Sequence, residues 1–312
     1  MRSQAGAEGE LAVWARTQLE PRTVPGLPSS EGPAVVAARW LSPRTRDLLR
    51  VRGVGYVDTT GNVEIRLVDP GLYIRTEGAA RDPQPKAGPT PRLRGPRVWA
   101  MLRTLVEVAP PFGVRDISVA LGLDAGYVSR VLRVLEDELL IKRTPRGPVD
   151  QVEWEGVLRQ LVTTYSVFDA NDTSTWVAPG GPDQLLRDLA GKRAGRWAVT
   201  GSFGSAKIAP VAAPEVALVY ADDPERVAKA GRLLPASTGA NVVLVSPYDP
   251  IVFERTRQSE GVSYVSVAQL AADDFTGNGR MPAEGEALLA WMRRNVSRWQ
   301  ARSLTAPTEA LG

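Results

Sequence analysis

The side chains set narrow limits on what this chain can catalyse. Its 312 residues include no cysteine and no histidine. That excludes disulfides, a thiol nucleophile, Cys- or His-ligated zinc and an imidazole base. Carboxylates with Mg²⁺ remain, as do Lys, Tyr and Ser. Two segments carry such residues at suggestive spacing. In GYVDTTGNVEIRL, Asp58 precedes Glu64-Ile65-Arg66, an order that approaches the Asp…Glu-x-Lys set used with Mg²⁺ to cut phosphodiesters. The spacing is very short, however, and a guanidinium stands where the lysine should be. A tight turn bracketed by Asp58 and Asn62, with Gly61 at positive φ, is the better reading.

The second segment is TGSFGSAKIAPVAAPEVALVYADDP, from Thr200 to Pro224. A Gly-Ser turn ahead of a strand bearing Asp-x-Asp supports nucleotidyl transfer, the turn holding phosphate and the acids Mg²⁺. Gly201-Ser202 fits the turn, but Glu215 and Ala217 stand where the acids belong. One carboxylate cannot clamp two metals. Asp222-Asp223-Pro224-Glu225 reads instead as a helix start, with proline first and acids at the positive end of the dipole. The expectation is therefore no catalytic residue, no metal and no cofactor.

A different activity is written between residues 97 and 154. Trp99, Leu102, Leu105 and Val106 recur at helical spacing, and Val114, Ile117, Ala120 and Leu121 repeat the pattern. Gly122 breaks the second helix, and Asp124 can cap a third that runs to about Leu139. The short LGLD turn between them suits a helix-turn-helix. A stripe of Val128, Val131, Leu132 and Leu135 would be buried, leaving Gly126, Tyr127, Ser129, Arg130 and Arg133 facing out. The N-terminal part of such a helix enters the major groove, where Arg130 can bond guanine O6 and N7 together. Tyr127 and Ser129 suit phosphate or base edges. The following KRTPRGPVDQVEW reads as a β-hairpin whose Lys142, Arg143 and Arg146 would lie along the phosphates.

RDISVALGLDAGYVSRVLRVLEDELLIKR resembles the winged helix-turn-helix domain of many bacterial transcriptional regulators. Those commonly carry Leu-Gly-Leu in the turn, Val-Ser-Arg in the third helix and a glycine before a Leu-Ile strand. Here Glu138-Leu139 replaces that glycine. With LSPRTRDLLRVRGVGYVDTTGNVEIRL before it and TGSFGSAKI, NVVLVSPYDPIVF, VSYVSVAQLAADDF and GEALLAW after it, most of the chain past residue 35 is similar to the AbiEi-type antitoxins of type IV toxin-antitoxin systems. The resemblance implies promoter binding for autoregulation. It also implies a C-terminal domain that counters a nucleotidyltransferase-like toxin protein. One departure bears on the second role: the winged helix lies between two domains here, whereas simpler members begin with it.

The elements that would position these residues form an α+β multidomain chain. Residues 1–80 read as a small α/β nuclease-like pseudo-domain, with a helix opened by Ser42 and Pro43, strands either side of Thr60-Gly61-Asn62, and a third at LYIRT. Residues 81–96 hold five prolines and two glycines, a semi-rigid linker. The winged helix takes 97–154. Residues 155–312 alternate helix and strand as a mixed α/β domain resembling a degenerate nucleotidyltransferase. Its strands are expected at 197–200, 216–221 and 242–245, and its helices at 155–165, 182–192, 225–233, 266–274 and 284–296.

Net charge is only +3, yet residues 75–103 carry Arg75, Arg81, Lys86, Arg92, Arg94, Arg97 and Arg103 against two acids. This basic run leads straight into the first helix of the motif and suits phosphate contact. No apolar stretch reaches the length of a membrane span, and the N-terminus lacks the apolar core of a signal peptide. The expected class is thus a cytoplasmic, double-stranded DNA-binding regulator with no membrane partner. An inverted-repeat operator would call for a homodimer, for which no heptad seam is visible. The competing classes are a Mg²⁺ nuclease or nucleotidyltransferase, and an interaction scaffold.

Overall fold

The computed structural model describes residues 10–69, 71–79, 82–84, 93–145 and 147–304. It is an α+β protein with several sheets, and it divides into two compact units. The smaller comprises 1–91 with 132–141, and the larger 92–131 with 142–312.

In the smaller unit, five strands form one mixed sheet in the order β1-β2-β3-β4-β5. They are β1 (Ala12–Arg16), β2 (Ala34–Ala38), β3 (Gly55–Asp58), β4 (Val63–Leu67) and β5 (Leu72–Thr76). β1 and β3 pair with β2 in parallel, and β3, β4 and β5 form an antiparallel meander. β2, the apolar run AVVAA, is almost wholly buried, as a strand covered on both faces must be. Helix α1 (Pro43–Val51) crosses from β2 to β3. Its N-cap Ser42 accepts from the Thr45 N–H at 3.1 Å, and Pro43 fills the first position. Leu41, Leu49, Val36 and Tyr56 close the core beneath it.

The larger unit opens with α2 (Pro96–Glu107), α3 (Val114–Leu121) and α4 (Ala125–Asp137), followed by the hairpin strands β6 (Ile141–Arg143) and β7 (Val149–Val152). α4 starts in this unit, and its last turns belong to the smaller one. Next come α5 (Trp154–Val162), β8 (Asp172–Val177), α6 (Pro182–Ala190), β9 (Trp197–Thr200), α7 (Gly201–Ser205), β10 (Ala217–Ala221), α8 (Pro224–Gly231), β11 (Leu234–Pro235) and β12 (Val242–Ser246). β13 (Arg257–Ser259), β14 (Val262–Tyr264), α9 (Val267–Phe275), α10 (Met281–Arg294) and α11 (Val296–Trp299) complete it. The sheet runs β11-β8-β12-β10-β9-β14-β13.

β10 and β12 are parallel, while β9 and β8 flank them antiparallel. β10 (ALVYA) is buried at every residue, because alternate side chains face helices on both sides. Val219 and Ala221 join Leu185, Leu189 and Val227 of α6 and α8 in one core. On the opposite face the Tyr220 hydroxyl reaches Asp273 of α9.

Helix α2 departs most from its sequence pattern. Instead of one apolar stripe it is buried from Ala100 to Val108, packed on α5 and α9. Arg103 is buried with it. Its guanidinium donates to the carbonyls of Ile251 and Glu254, to Ser266 Oγ at 3.0 Å and to Glu107, which also meets Arg255 at 3.3 Å. Buried charges persist only when paired and hydrogen-bonded in this way. Among the described residues no helix is long and apolar enough to cross a membrane.

Candidate nucleic-acid interface

The start of α4 is fixed by local chemistry. Gly122 ends α3 in the left-handed region, at φ +61, where a side chain would be strained. Leu123 N donates back to the Ser118 carbonyl at 3.0 Å, and Ser118 Oγ donates to the Leu123 carbonyl at 2.6 Å. Asp124 Oδ1 then accepts from the Tyr127 N–H at 2.8 Å, the N-cap bond expected from the sequence. Val128, Val131, Leu132 and Leu135 are all fully buried. The second helix follows its pattern less closely: Ile117 is buried, but Ala120 is exposed and Leu121 only half-buried.

With that stripe turned inward, Gly126, Arg130 and Arg133 are exposed, and Tyr127 and Ser129 are half-buried. The Arg130 guanidinium folds back over Gly126, 3.6 Å from where a Cβ would stand, in the space that glycine leaves. Burial raises the Tyr127 phenol pKa, and the charges of Arg97 and Arg130 act against that rise. Arg97, in the first turn of α2, therefore belongs to the same electropositive surface as the start of α4. Arg133 lies one turn further along α4, in the part that belongs to the smaller unit.

The hairpin places Lys142 outward and Arg143 half-buried. Arg143 Nε is enclosed without an acceptor. Arg146 lies outside the described residues. Phe112 and Val149 exchange both backbone hydrogen bonds, at 3.2 and 2.9 Å, tying β7 to the segment that leads into α3. Among the described residues, Arg130, Arg133 and Lys142 have no ion-pair partner. The basic run ahead of α2 divides differently. Arg94 and Arg97 are exposed, and Arg75 meets Glu77 at 3.5 Å. Arg103 is buried and cannot reach phosphate. Arg81, Lys86 and Arg92 lie outside the described residues.

The two segments with enzyme-like spacing are committed to structure. Asp58 accepts from Leu41 N, Thr60 N, Thr60 Oγ1, Asn62 N and Asn62 Nδ2. Burial is the largest single influence on its pKa and pushes it up, but the hydrogen bonds together outweigh it and hold the pKa below the usual range. Glu64 is paired with Arg50 at 2.9 Å, and Arg66 lies over the Tyr73 ring. Gly61 has φ +97, as the turn requires. In the other segment, Asp223 caps α8 by accepting from Arg226 N at 3.0 Å. Asp222 accepts from Arg196 N at 3.0 Å.

Ser202 Oγ donates to Glu284 Oε2 at 2.5 Å, and Ser205 Oγ donates to Asp274. Asp273 accepts from Thr200, Tyr165, Tyr220 and Gln269. These three buried acids were missed in the sequence, although two consecutive aspartates in the apolar run VAQLAADDF were the available signal. Burial pushes Asp273 up to about 6 and Asp274 up to about 8. Among the described residues no group of three or more acids is placed to hold a metal ion.

Compared with known proteins, the chain matches no family model, no curated protein and no solved structure.

Proposed function

We propose that the chain is a sequence-specific, double-stranded DNA-binding transcriptional regulator whose reading surface is a winged helix-turn-helix. The observation that carries this is the start of α4. A glycine-ended helix, a three-residue turn and an aspartate cap leave Arg130 exposed and, among the described residues, without a carboxylate partner. In this reading the first half of α4 enters the major groove and Arg130 forms paired bonds to guanine O6 and N7. Tyr127, Ser129 and Arg133 contact backbone or base edges beside it. Lys142, Arg143 and Arg146 of the hairpin contact phosphate, joined by Arg97 from α2. The Phe112–Val149 bridge supports the wing assignment, since it anchors β7 beside the entry to α3.

The larger sheet, with its Gly201-Ser202 turn and alanine at position 217, supports a nucleotidyltransferase-like scaffold without paired metal-binding acids. On the resemblance to AbiEi-type antitoxins, the regulator acts on its own promoter and its partner is a nucleotidyltransferase-like toxin. Selection of bound fragments from a random duplex pool tests the DNA reading. A single enriched motif is the expected outcome, and a pool no different from its input would refute it. Co-expression with the product of a neighbouring nucleotidyltransferase-like reading frame tests the antitoxin role.

A further inference from the structure

A cleft of about 160 Å³ in the larger unit is lined by residues of β13, β14, α10 and α11 and by Lys207, just past α7. Its walls carry three cationic residues, Lys207, Arg257 and Arg298, together with Ser259, Tyr264 and Trp291, and no acid. Arg257 is the unusual member, because it is only 5% exposed. Its Nε donates to the Val265 carbonyl at 3.0 Å, and its guanidinium lies 5.9 Å from the Tyr264 ring centre. Nη2 is enclosed with no acceptor among the described residues. Burial drags its pKa down to about 10, which leaves it charged at neutral pH.

A buried guanidinium without a counter-ion is costly, and a carboxylate would ordinarily be supplied by the fold. Lys207 pairs with Glu260 at 2.9 Å, and Glu260 is an exposed side chain outside the cleft walls. Asp183 acts on Lys207 as a weaker, more remote charge. Among the described residues Arg257 therefore has no carboxylate to neutralise it. The size of the cleft suits one tetrahedral oxyanion, with a hydroxyl donor at Ser259 and aromatic walls at Tyr264 and Trp291.

We propose that this cleft binds a phosphate group, held by Arg257 and Lys207 with Ser259 as a neutral donor. The guanidinium supplies a fixed, charge-assisted donor, and the lysine supplies a point charge from another side. The proposal does not depend on the DNA reading, because none of these residues belongs to α4 or the hairpin.

The test is titration of the full chain with inorganic phosphate at constant ionic strength, followed by ³¹P line broadening and by melting temperature. Saturable binding that chloride does not reproduce is expected. Lys207→Gln should weaken it about tenfold by removing a charge-assisted contact. The ligand-free melting temperature should change by no more than about 1 °C, since an exposed ion pair adds little stability. Arg257→Lys, which keeps the charge and loses the planar guanidinium donor, should weaken binding while preserving the fold. A nucleoside monophosphate and a short duplex, each competed against inorganic phosphate, distinguish a small ligand from a nucleic-acid backbone as the source. Phosphate binding no better than chloride, or binding unchanged by Lys207→Gln, would overturn the proposal. Either result would leave duplex binding by Arg130 and Lys142 untouched.

Discussion

Asp124 and Tyr127 are joined across the first turn of α4, where the tyrosine backbone N–H donates to the aspartate Oδ1 at 2.8 Å. This bond sets where the helix begins, and therefore which face carries Val128 inward and Arg130 outward. Asp124→Ala should cost about 1 kcal/mol by leaving that N–H without its partner. The melting temperature should then fall by roughly 2–4 °C. Asp124→Ser, which restores an acceptor, should recover most of the loss in the same melting experiment.

The other end of α4 carries a residue in an unfavourable conformation. Leu140 N donates to the Leu135 carbonyl at 2.8 Å and Leu139 N to the Glu136 carbonyl at 3.0 Å, the bond pattern of a Schellman cap. Leu139 occupies the left-handed position, at φ 54, where glycine is usual. Arg44 donates to the Leu139 carbonyl at 3.1 Å and secures the turn. Leu139→Gly should stabilise the protein by about 1 kcal/mol, through relief of the left-handed penalty. Denaturant unfolding would show it as a higher midpoint. A lower midpoint would mean that the half-buried leucine side chain matters more than the backbone.

The buried acids of the larger unit make stability fall as pH rises. Asp274 titrates near 8 and Asp273 near 6 in the folded chain, both above the ordinary carboxylate range. The folded state therefore binds more protons than the unfolded one between roughly pH 4 and 8. Their favourable contribution is complete below about pH 4 and is lost progressively up to about pH 8. Asp274→Asn, which cannot ionise, should melt roughly 5 °C above the parent at pH 8.5 and close to it at pH 5. Melting curves across that range would decide it, and parallel pH profiles for the two proteins would contradict the assignment.

Much of this architecture was legible in the chain because local rules were obeyed. Ser42-Pro43, Asp124 and Asp223-Pro224 each start a helix by capping chemistry. The turn at Thr60-Gly61-Asn62 separates β3 from β4, and Trp197–Thr200 is a strand with the expected bounds. Elements set by tertiary pairing were not legible. β1 and β2 are short runs that exist through parallel pairing, β2 with β1 and with β3. β13 and β14 are short, at three residues each, and β8 is mixed in composition. The burial of Arg103 was also hidden, because its carbonyl partners Ile251 and Glu254 lie about 150 positions further along. At the interface, the α4 stripe and the exposed Arg130 follow from helical spacing alone. The half-burial of Arg143 and the closeness of Arg97's charge to Tyr127 do not.

The central claim is that Arg130 reads bases while Lys142 neutralises phosphate. Fluorescence anisotropy against the selected duplex and a scrambled one, at several salt concentrations, measures it most directly. Arg130→Ala should cost about 1–3 kcal/mol on the selected sequence and narrow the gap to the scrambled one. Lys142→Ala should weaken both sequences alike and reduce the salt slope by about one. If both variants lowered specific and scrambled binding equally, with the same change in slope, α4 would not be the reading helix.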